Sequence, residues 1–257
     1  MKPKIVMLIG GRSHSSNFIY NGIKTDFEIS NVIVEEGVSR KAFLKRRAKR
    51  LGYWPVFGQV LFQALCVPVL RFFSKKRIAS IKEKYDLDET TIDAEKIINV
   101  SSVNSNKSLK TLKKLKPDVI IVNGTRIISK RILRSVDALF INTHAGITPK
   151  YRGVHGGYWA LANDDKEHCG VTVHLVDAGI DTGDILYQTN ITPTRKDNFV
   201  TYTYLQNAEG IKLLKKALAD VAADGLQPKK SDIQESHLWY HPTIWFYLFK
   251  RIFKGVK

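Results

Sequence analysis

The chain reads as an α/β protein: a doubly wound, mostly parallel sheet with an antiparallel C-terminal portion and a helical insertion. Three observations predict this. Short apolar runs alternate with helical segments as far as Asn142, the pattern of strands buried on both faces by crossover helices. Further on, Val171–Leu175 and Ile185–Thr189 alternate apolar and polar side chains, as half-buried antiparallel strands do. Between these regimes, residues 40–84 break the alternation with a basic, then uncharged, then basic stretch.

In chain order, Lys4–Ile9 is a compact apolar strand, and Gly10 to Asn17 is a Gly/Ser turn leading into a helix from about Ser15. Phe27–Glu35 is the second strand. Ser108–Lys116 is a basic helix that stops before Pro117. Asp118–Val122 is the third strand, ending in the turn Asn123-Gly124-Thr125, and Ser129–Ser135 is helical. Ala138–Asn142 is the fourth strand. The two antiparallel strands flank the loop Asp177–Asp184, and a long helix runs from about Val200 to Ala223, ending at Asp224-Gly225. No internal repeat is visible. The result is a Rossmann-like unit over residues 1–230, with an insertion at about 38–86 and a basic aromatic tail at 231–257. In such sheets ligands sit beyond the carboxyl ends of strands, where Gly10, Asn123 and Asn142 fall.

The insertion opens with Lys45 to Arg50, carries no charge from Leu51 to Leu70, and turns basic again from Arg71 to Arg77. Length and composition formally allow a membrane span. The interrupting Pro55, Pro68, Gly52 and Gly58, two glutamines and basic flanks on both sides speak against one. A packed helical insertion or homodimer contact is one reading, and docking at a membrane surface is another. The tail interleaves Trp245, Phe246, Phe249 and Phe253 with Lys250, Arg251 and Lys254. It reads as a cover over the core or a partner subunit, or as a peripheral membrane anchor.

Lys and Arg outnumber Asp and Glu by 41 to 24, a net charge of +17 that favours phosphates, nucleic acid or an acidic membrane. Cys66 and Cys169 form neither a disulfide framework nor a metal knuckle, which fits a reducing compartment. The apolar run at the N-terminus is too short for a signal core, so a cytoplasmic location is expected, with the inner membrane surface as its peripheral variant.

Asn142 and His144 lie two apart at a strand end, so both side chains point to one side. Asp181 lies in a Gly-bounded loop between strands, where a carboxylate can be aimed at a site. Together these suit acyl transfer to an amine. The attack makes an oxyanion, which an Asn amide and a His N–H can stabilise, one donor being worth about 10²–10³ in rate. A histidine can carry protons either way near neutral pH. His155, His168, His174 and Cys169 match no zinc spacing, and no metal is expected.

The segment Ile141 to Gly153, with Asn142, His144, Pro149 and Arg152-Gly153, followed by Asp181-Thr-Gly183, resembles the folate-dependent formyltransferases. That family includes glycinamide ribonucleotide, methionyl-tRNA and amino-sugar formyltransferases. The resemblance covers roughly Lys2–Glu35 and Lys110–Ile191. It implies 10-formyltetrahydrofolate as cosubstrate, Asn142 as oxyanion donor, His144 as acid and proton carrier, and Asp181 as the carboxylate that organises His and water. It also implies a folate pocket lined by Gly124, Arg126, Ile127 and Ile128 and by Asp177, Ala178, Gly179 and Ile180. The turn holding Gly11, Arg12, Ser15, Ser16 and Asn17 is similar to the family's phosphate-gripping turn, with an ordinary glycine turn as the alternative. Arg152 and Gly153 lie near the acceptor, Arg152 as a phosphate clamp or as a loop brace. The chain departs from the pattern at Gly146, where many relatives carry Ser near the acceptor.

The expected acceptor is a small anionic molecule, an amine on a nucleotide-linked or lipid-linked sugar. The tRNA-directed relatives carry a further C-terminal barrel, and the 76 residues after Asp181 are largely claimed by other elements, so no nucleic-acid partner is expected. Glycinamide ribonucleotide is the alternative acceptor. Hydrolysis of formyltetrahydrofolate by the same site is an alternative reaction.

Overall fold

The first apolar run forms strand β1 (Ile5–Ile9), all five side chains buried. The structure, a computed structural model, describes residues 2–257. Helix α1 (His14–Lys24) starts where Ser13 caps it, its Oγ accepting the Ser16 N–H at 3.2 Å. Strand β2 (Ile29–Glu35) follows, and then the insertion forms four helices, α2 (Arg40–Leu51), α3 (Tyr53–Leu61), α4 (Val67–Phe73) and α5 (Lys75–Lys84). Strand β3 (Ile97–Val100) and helix α6 (Asn106–Leu115) lead to β4 (Val119–Asn123), α7 (Lys130–Leu133) and β5 (Leu139–His144). A short strand β6 (Tyr151–Gly153) and helix α8 (Gly156–Ala162) precede β7 (Gly170–Leu175) and β8 (Ile185–Asn190). The chain ends with α9 (Phe199–Ala222), β9 (His237–Trp239) and α10 (Ile244–Lys254).

Seven strands form one sheet in the order β3-β2-β1-β4-β5-β7-β8. The first five are parallel, whereas β7 runs antiparallel to both β5 and β8. This is the mixed sheet expected from the two periodicities. Strand order reverses between β1 and β4, which opens a crevice at their carboxyl ends. There Gly10 N–H donates to the Asn123 carbonyl at 3.0 Å, and the Gly/Ser turn and the Asn123 turn meet. Side chains of β1 alternate between two cores: Ile5, Met7 and Ile9 face α1 and α9, while Val6 and Leu8 face α6 and α7.

The insertion is tied to the start of α9. Arg77 grips buried Asp197 through two hydrogen bonds of 2.8 and 2.9 Å, Asn198 donates to Ser74 at 2.7 Å, and fully buried Phe62 packs edge-on against Phe199. A five-residue π-helical turn, Phe62–Cys66, joins α3 to α4. Tyr53–Phe73 is thereby a continuous helix of 21 residues, long and apolar enough by composition to cross a membrane, with only 28% of its most apolar window buried.

Residues 231–257 supply β9 and α10. Strand β9 pairs in parallel with β6, Trp239 stacks on Trp159 with ring centroids 4.4 Å apart, and Tyr247 is buried in the main core. The tail therefore lies over the core.

Candidate active site

Strand β5 aims Asn142 and His144 to the same side of the sheet, and antiparallel β7 places His174 directly opposite Asn142. The loop after β7 folds back over this face and delivers Asp181 to both. Its Oδ2 lies 3.4 Å from His144 Nδ1, and its Oδ1 accepts from Asn142 Nδ2 at 3.4 Å. Asp181 Oδ2 also accepts the Gly153 N–H at 3.0 Å. Asn142 and His144, neighbours on one face of β5, are thus met within hydrogen-bond reach by Asp181 from 39 residues beyond Asn142.

Hydrogen bonding fixes the tautomers. His174 Nδ1–H donates to the Leu175 carbonyl at 2.7 Å, which leaves Nε2 to accept from Asn142 Nδ2 at 3.1 Å. His144 Nε2–H donates to the Tyr151 carbonyl at 2.7 Å, so its Nδ1 is the nitrogen facing Asp181. Any proton His144 exchanges on the Asp181 side moves through Nδ1. Asn142 divides its two amide hydrogens between His174 and Asp181, and the longer Asp181 contact is the one a substrate oxygen can replace.

Burial alone would raise the Asp181 pKa. The His144 charge, the His174 contact and the Gly153 N–H outweigh it and hold the carboxyl well below the usual carboxylate range. Asp181 adopts φ +52°, in the left-handed region, and residues around it hold that conformation. Arg152 Nη1 donates to the Ile180 carbonyl at 3.0 Å, so the guanidinium braces the Asp181 loop, while its Nε is buried without a partner. Asp177 accepts from Gly179 N–H at 2.9 Å and from the Thr182 hydroxyl at 2.8 Å, leaving Ala178 and Gly179 exposed at the loop tip.

Other expected site residues fall elsewhere. Arg126 is spent on Glu35: its N–H and Nε reach the two carboxylate oxygens at 2.7 and 2.9 Å, and Nη2 donates to Glu36 O. It pins the β4 turn to β2. Ile128 is buried in the second core, whereas Ile127 is 54% exposed and Gly124 has φ +65°. Gly146 is buried under β6, and a Cβ there would press on the Tyr151 carbonyl and His144 Nε2. Glycine here is what lets that carbonyl reach the imidazole.

The Gly/Ser turn lies at the β1–β4 crevice. Asn123 Nδ2 donates to Ser15 and Ser16 at 3.3 and 3.4 Å, and Ser15 donates to Asn207 at 2.9 Å. Arg12, Ser13, His14 and Asn17 line a cleft of about 240 Å³ with Thr91 and Ile92, and Gly11 has φ +102°. A second cleft, about 250 Å³, is lined by Asp181, Thr148, Pro149, Thr182, Lys230 and Ser231.

His174 is the site residue that the sequence did not single out for this role. Its signal is the strand pairing, which sets it opposite Asn142 across 32 residues of chain. Of the other histidines, His168 pairs with Asp165 at 2.6 Å, and His155 meets His241 at 3.0 Å. Among the described residues, no group of three or more His, Cys, Asp or Glu is placed to hold a metal. Burial pushes the Cys169 thiol up to about 12.

Known proteins share this architecture. The methionyl-tRNA formyltransferase of Caldanaerobacter subterraneus subsp. tengcongensis is 36% identical over 152 residues, covering 58% of this chain and 48% of that protein. The Finegoldia magna methionyl-tRNA formyltransferase is 41% identical over 91 residues, covering 35% and 29%. The chain thus spans about half the length, or less, of the curated relatives it matches. Among solved structures, a sugar N-formyltransferase from Shewanella sp FDAARGOS_354 superposes with TM-score 0.56 at 17% identity, covering 91% of this chain and 75% of that one. Glycinamide ribonucleotide transformylase 1 from Symbiobacterium toebii gives TM-score 0.57 at 18%, covering 90% and 94%. At those identities the likeness is one of fold. Residues 66–218, more than half of the chain, match the model of the formyl transferase family, and the chain belongs to that family.

Proposed function

We propose that the chain transfers a formyl group from 10-formyltetrahydrofolate to an amine of a small phosphorylated acceptor, an amino sugar carried on a nucleotide or a lipid. The observation that carries this reading is the meeting of Asp181 with His144 and Asn142 around one face of β5.

The cosubstrate supplies a formyl carbon bonded to nitrogen. Its proposed surroundings are the exposed Ile127, an apolar side chain at the end of β4, and the Asp177–Ile180 loop. The unpartnered buried Thr148 Oγ1 belongs to the lining of the Asp181 cleft and is a polar atom that a ligand there would satisfy. The amine nitrogen attacks the formyl carbon, its bond to the donor nitrogen breaks, and one proton passes from the attacking to the leaving nitrogen. Asn142 Nδ2–H, released from its long contact with Asp181, donates to the oxygen as negative charge develops there. Asp181 stays ionised, holds the imidazole and can hold a water, so the proton travels by way of His144 Nδ1. A phosphate of the acceptor is read by Arg12 and the N–H groups opening α1, at the sheet's switch point.

Incubation with 10-formyltetrahydrofolate and a panel of amines tests this. Product with amino-sugar nucleotides or lipid-linked amino sugars supports the reading. Turnover of glycinamide ribonucleotide or methionyl-tRNA alone would reject the acceptor, and folate consumption without any amine product would select hydrolysis.

A further inference from the structure

The long helix of the insertion presents its apolar side to solvent. Trp54, Phe57, Leu65, Val69, Phe72 and Phe73 are between 51 and 80% exposed and recur at helical spacing. On α10, Leu248, Phe249, Ile252 and Phe253 are between 42 and 70% exposed. The two stripes are one surface. Trp245 of α10 stacks on Trp54 with centroids 4.8 Å apart and lies over Gly58, where any side chain would collide with its ring. So large an aromatic and aliphatic patch on a folded chain marks a place where something binds.

Charge selects the occupant. Residues 40–84 hold thirteen basic side chains and one acidic, and residues 244–257 hold four basic and none acidic. Helix α2 is almost wholly exposed and packs its basic face toward the tail, with Arg47 and Arg50 over the Tyr240 ring at 5.4 and 5.6 Å. Lys75 and Lys76 rim the other end, Lys75 lying 4.8 Å over the Phe72 ring. A second copy would bring this rim against its own like. An anionic bilayer offers both an apolar interior for the stripe and phosphates for the rim.

We propose that the outer stripe of Tyr53–Phe73 and the outer face of α10 form one docking surface for an anionic lipid bilayer. The helix lies along the surface and does not cross it, because its inner stripe holds Phe62 and Leu70 in the protein core. Laid flat, its roughly 30 Å length sets the aromatic side chains at the headgroup boundary. The inference concerns where the chain sits and is independent of the acceptor it formylates.

Flotation of the full chain on vesicles tests it. Wild-type protein is expected to float with phosphatidylcholine vesicles containing phosphatidylglycerol, far less with phosphatidylcholine alone, and less as salt rises. A variant carrying Phe72→Ser, Phe73→Ser, Ile252→Ser and Phe253→Ser is expected to lose at least about tenfold in bound fraction. All four sites are exposed, so its thermal unfolding should match wild type. Lys75→Glu with Lys76→Glu, which leaves the stripe intact, should remove the preference for anionic vesicles. Wild-type protein that floats with neither vesicle, or with both equally, overturns the proposal. So does a solution dimer that the four serines dissociate in a chain that does not bind vesicles.

Discussion

At the scale of single residues the candidate centre separates groups that touch a substrate from groups that hold them in place. Asn142→Ala removes the proposed oxyanion donor and should lower kcat about 10²–10³-fold with little change in folding. Combined with Asp181→Asn it should cost much less than the product of the two effects, since both serve one step. Steady-state formylation kinetics give both numbers. Arg126 is assigned the opposite character, because its guanidinium closes on Glu35, which is 4% exposed. Arg126→Ala removes the counter-charge and leaves that carboxylate to the N–H groups of residue 126 and Val103, and should cost about 1–2 kcal/mol in urea unfolding while KM for folate changes little. A variant of normal stability with a raised folate KM would return Arg126 to the pocket. These residues also mark how far the sequence can be read. The pair Asn142 and His144 follows from the period of a strand, and Asp181 from a glycine-bounded loop. The tie of Arg126 to Glu35 spans 91 positions and leaves no local trace. Gly146 likewise gives no hint that its missing side chain makes room for the Tyr151 carbonyl.

Among the elements, the least conspicuous pair of strands backs the centre. Strand β6 is three residues long, yet Tyr151 supplies the carbonyl for His144, Arg152 braces the Ile180 carbonyl, and Gly153 supplies an N–H to Asp181. Strand β9 pairs with β6 along its whole length, and Trp239 stacks between Tyr151 and Trp159. A chain ending before His237 should therefore lose turnover, and Trp239→Ala should cost about 2 kcal/mol in stability and lower kcat more than it raises KM. Full activity in the truncated chain would show that β6 holds its position unaided. β1, β4 and β5 were legible as unbroken apolar runs and α9 by its length, and all four lie within a few residues of their expected places. Three-residue strands such as β6 and β9, and the four-residue β3, offer too few positions for any period to emerge. The charge-free run of the insertion announced a long apolar helix. Only its packing separates the inner stripe, which holds Phe62, from the outer one.

Across the whole molecule, insertion, core and tail meet at His241. Its Nδ1 lies 3.0 Å from Gln63 Nε2 of the insertion and 3.0 Å from His155 Nε2 at the head of α8, two donors that share its one lone pair. That arrangement needs His241 unprotonated at Nδ1. Burial, with His241 beside it, pushes His155 down to about 3, and burial, with Arg47 nearby, pushes His241 down to about 4. An unfolded chain takes up protons on both imidazoles below about pH 6.5, whereas the folded chain declines them. Stability is therefore complete above that pH and falls as the pH drops toward the folded values. Both residues keep partial solvent exposure, which moderates the loss to about 1 kcal/mol per histidine between about pH 6.5 and 5. Carboxylates titrate mostly below about pH 4, so this interval isolates the histidines. Urea unfolding at pH 7 and pH 5 measures the difference, and His241→Gln should flatten it by removing one of the two titrating groups. Equal stability of the wild-type chain at both pH values would mean that these imidazoles take up protons without loosening the three-way joint.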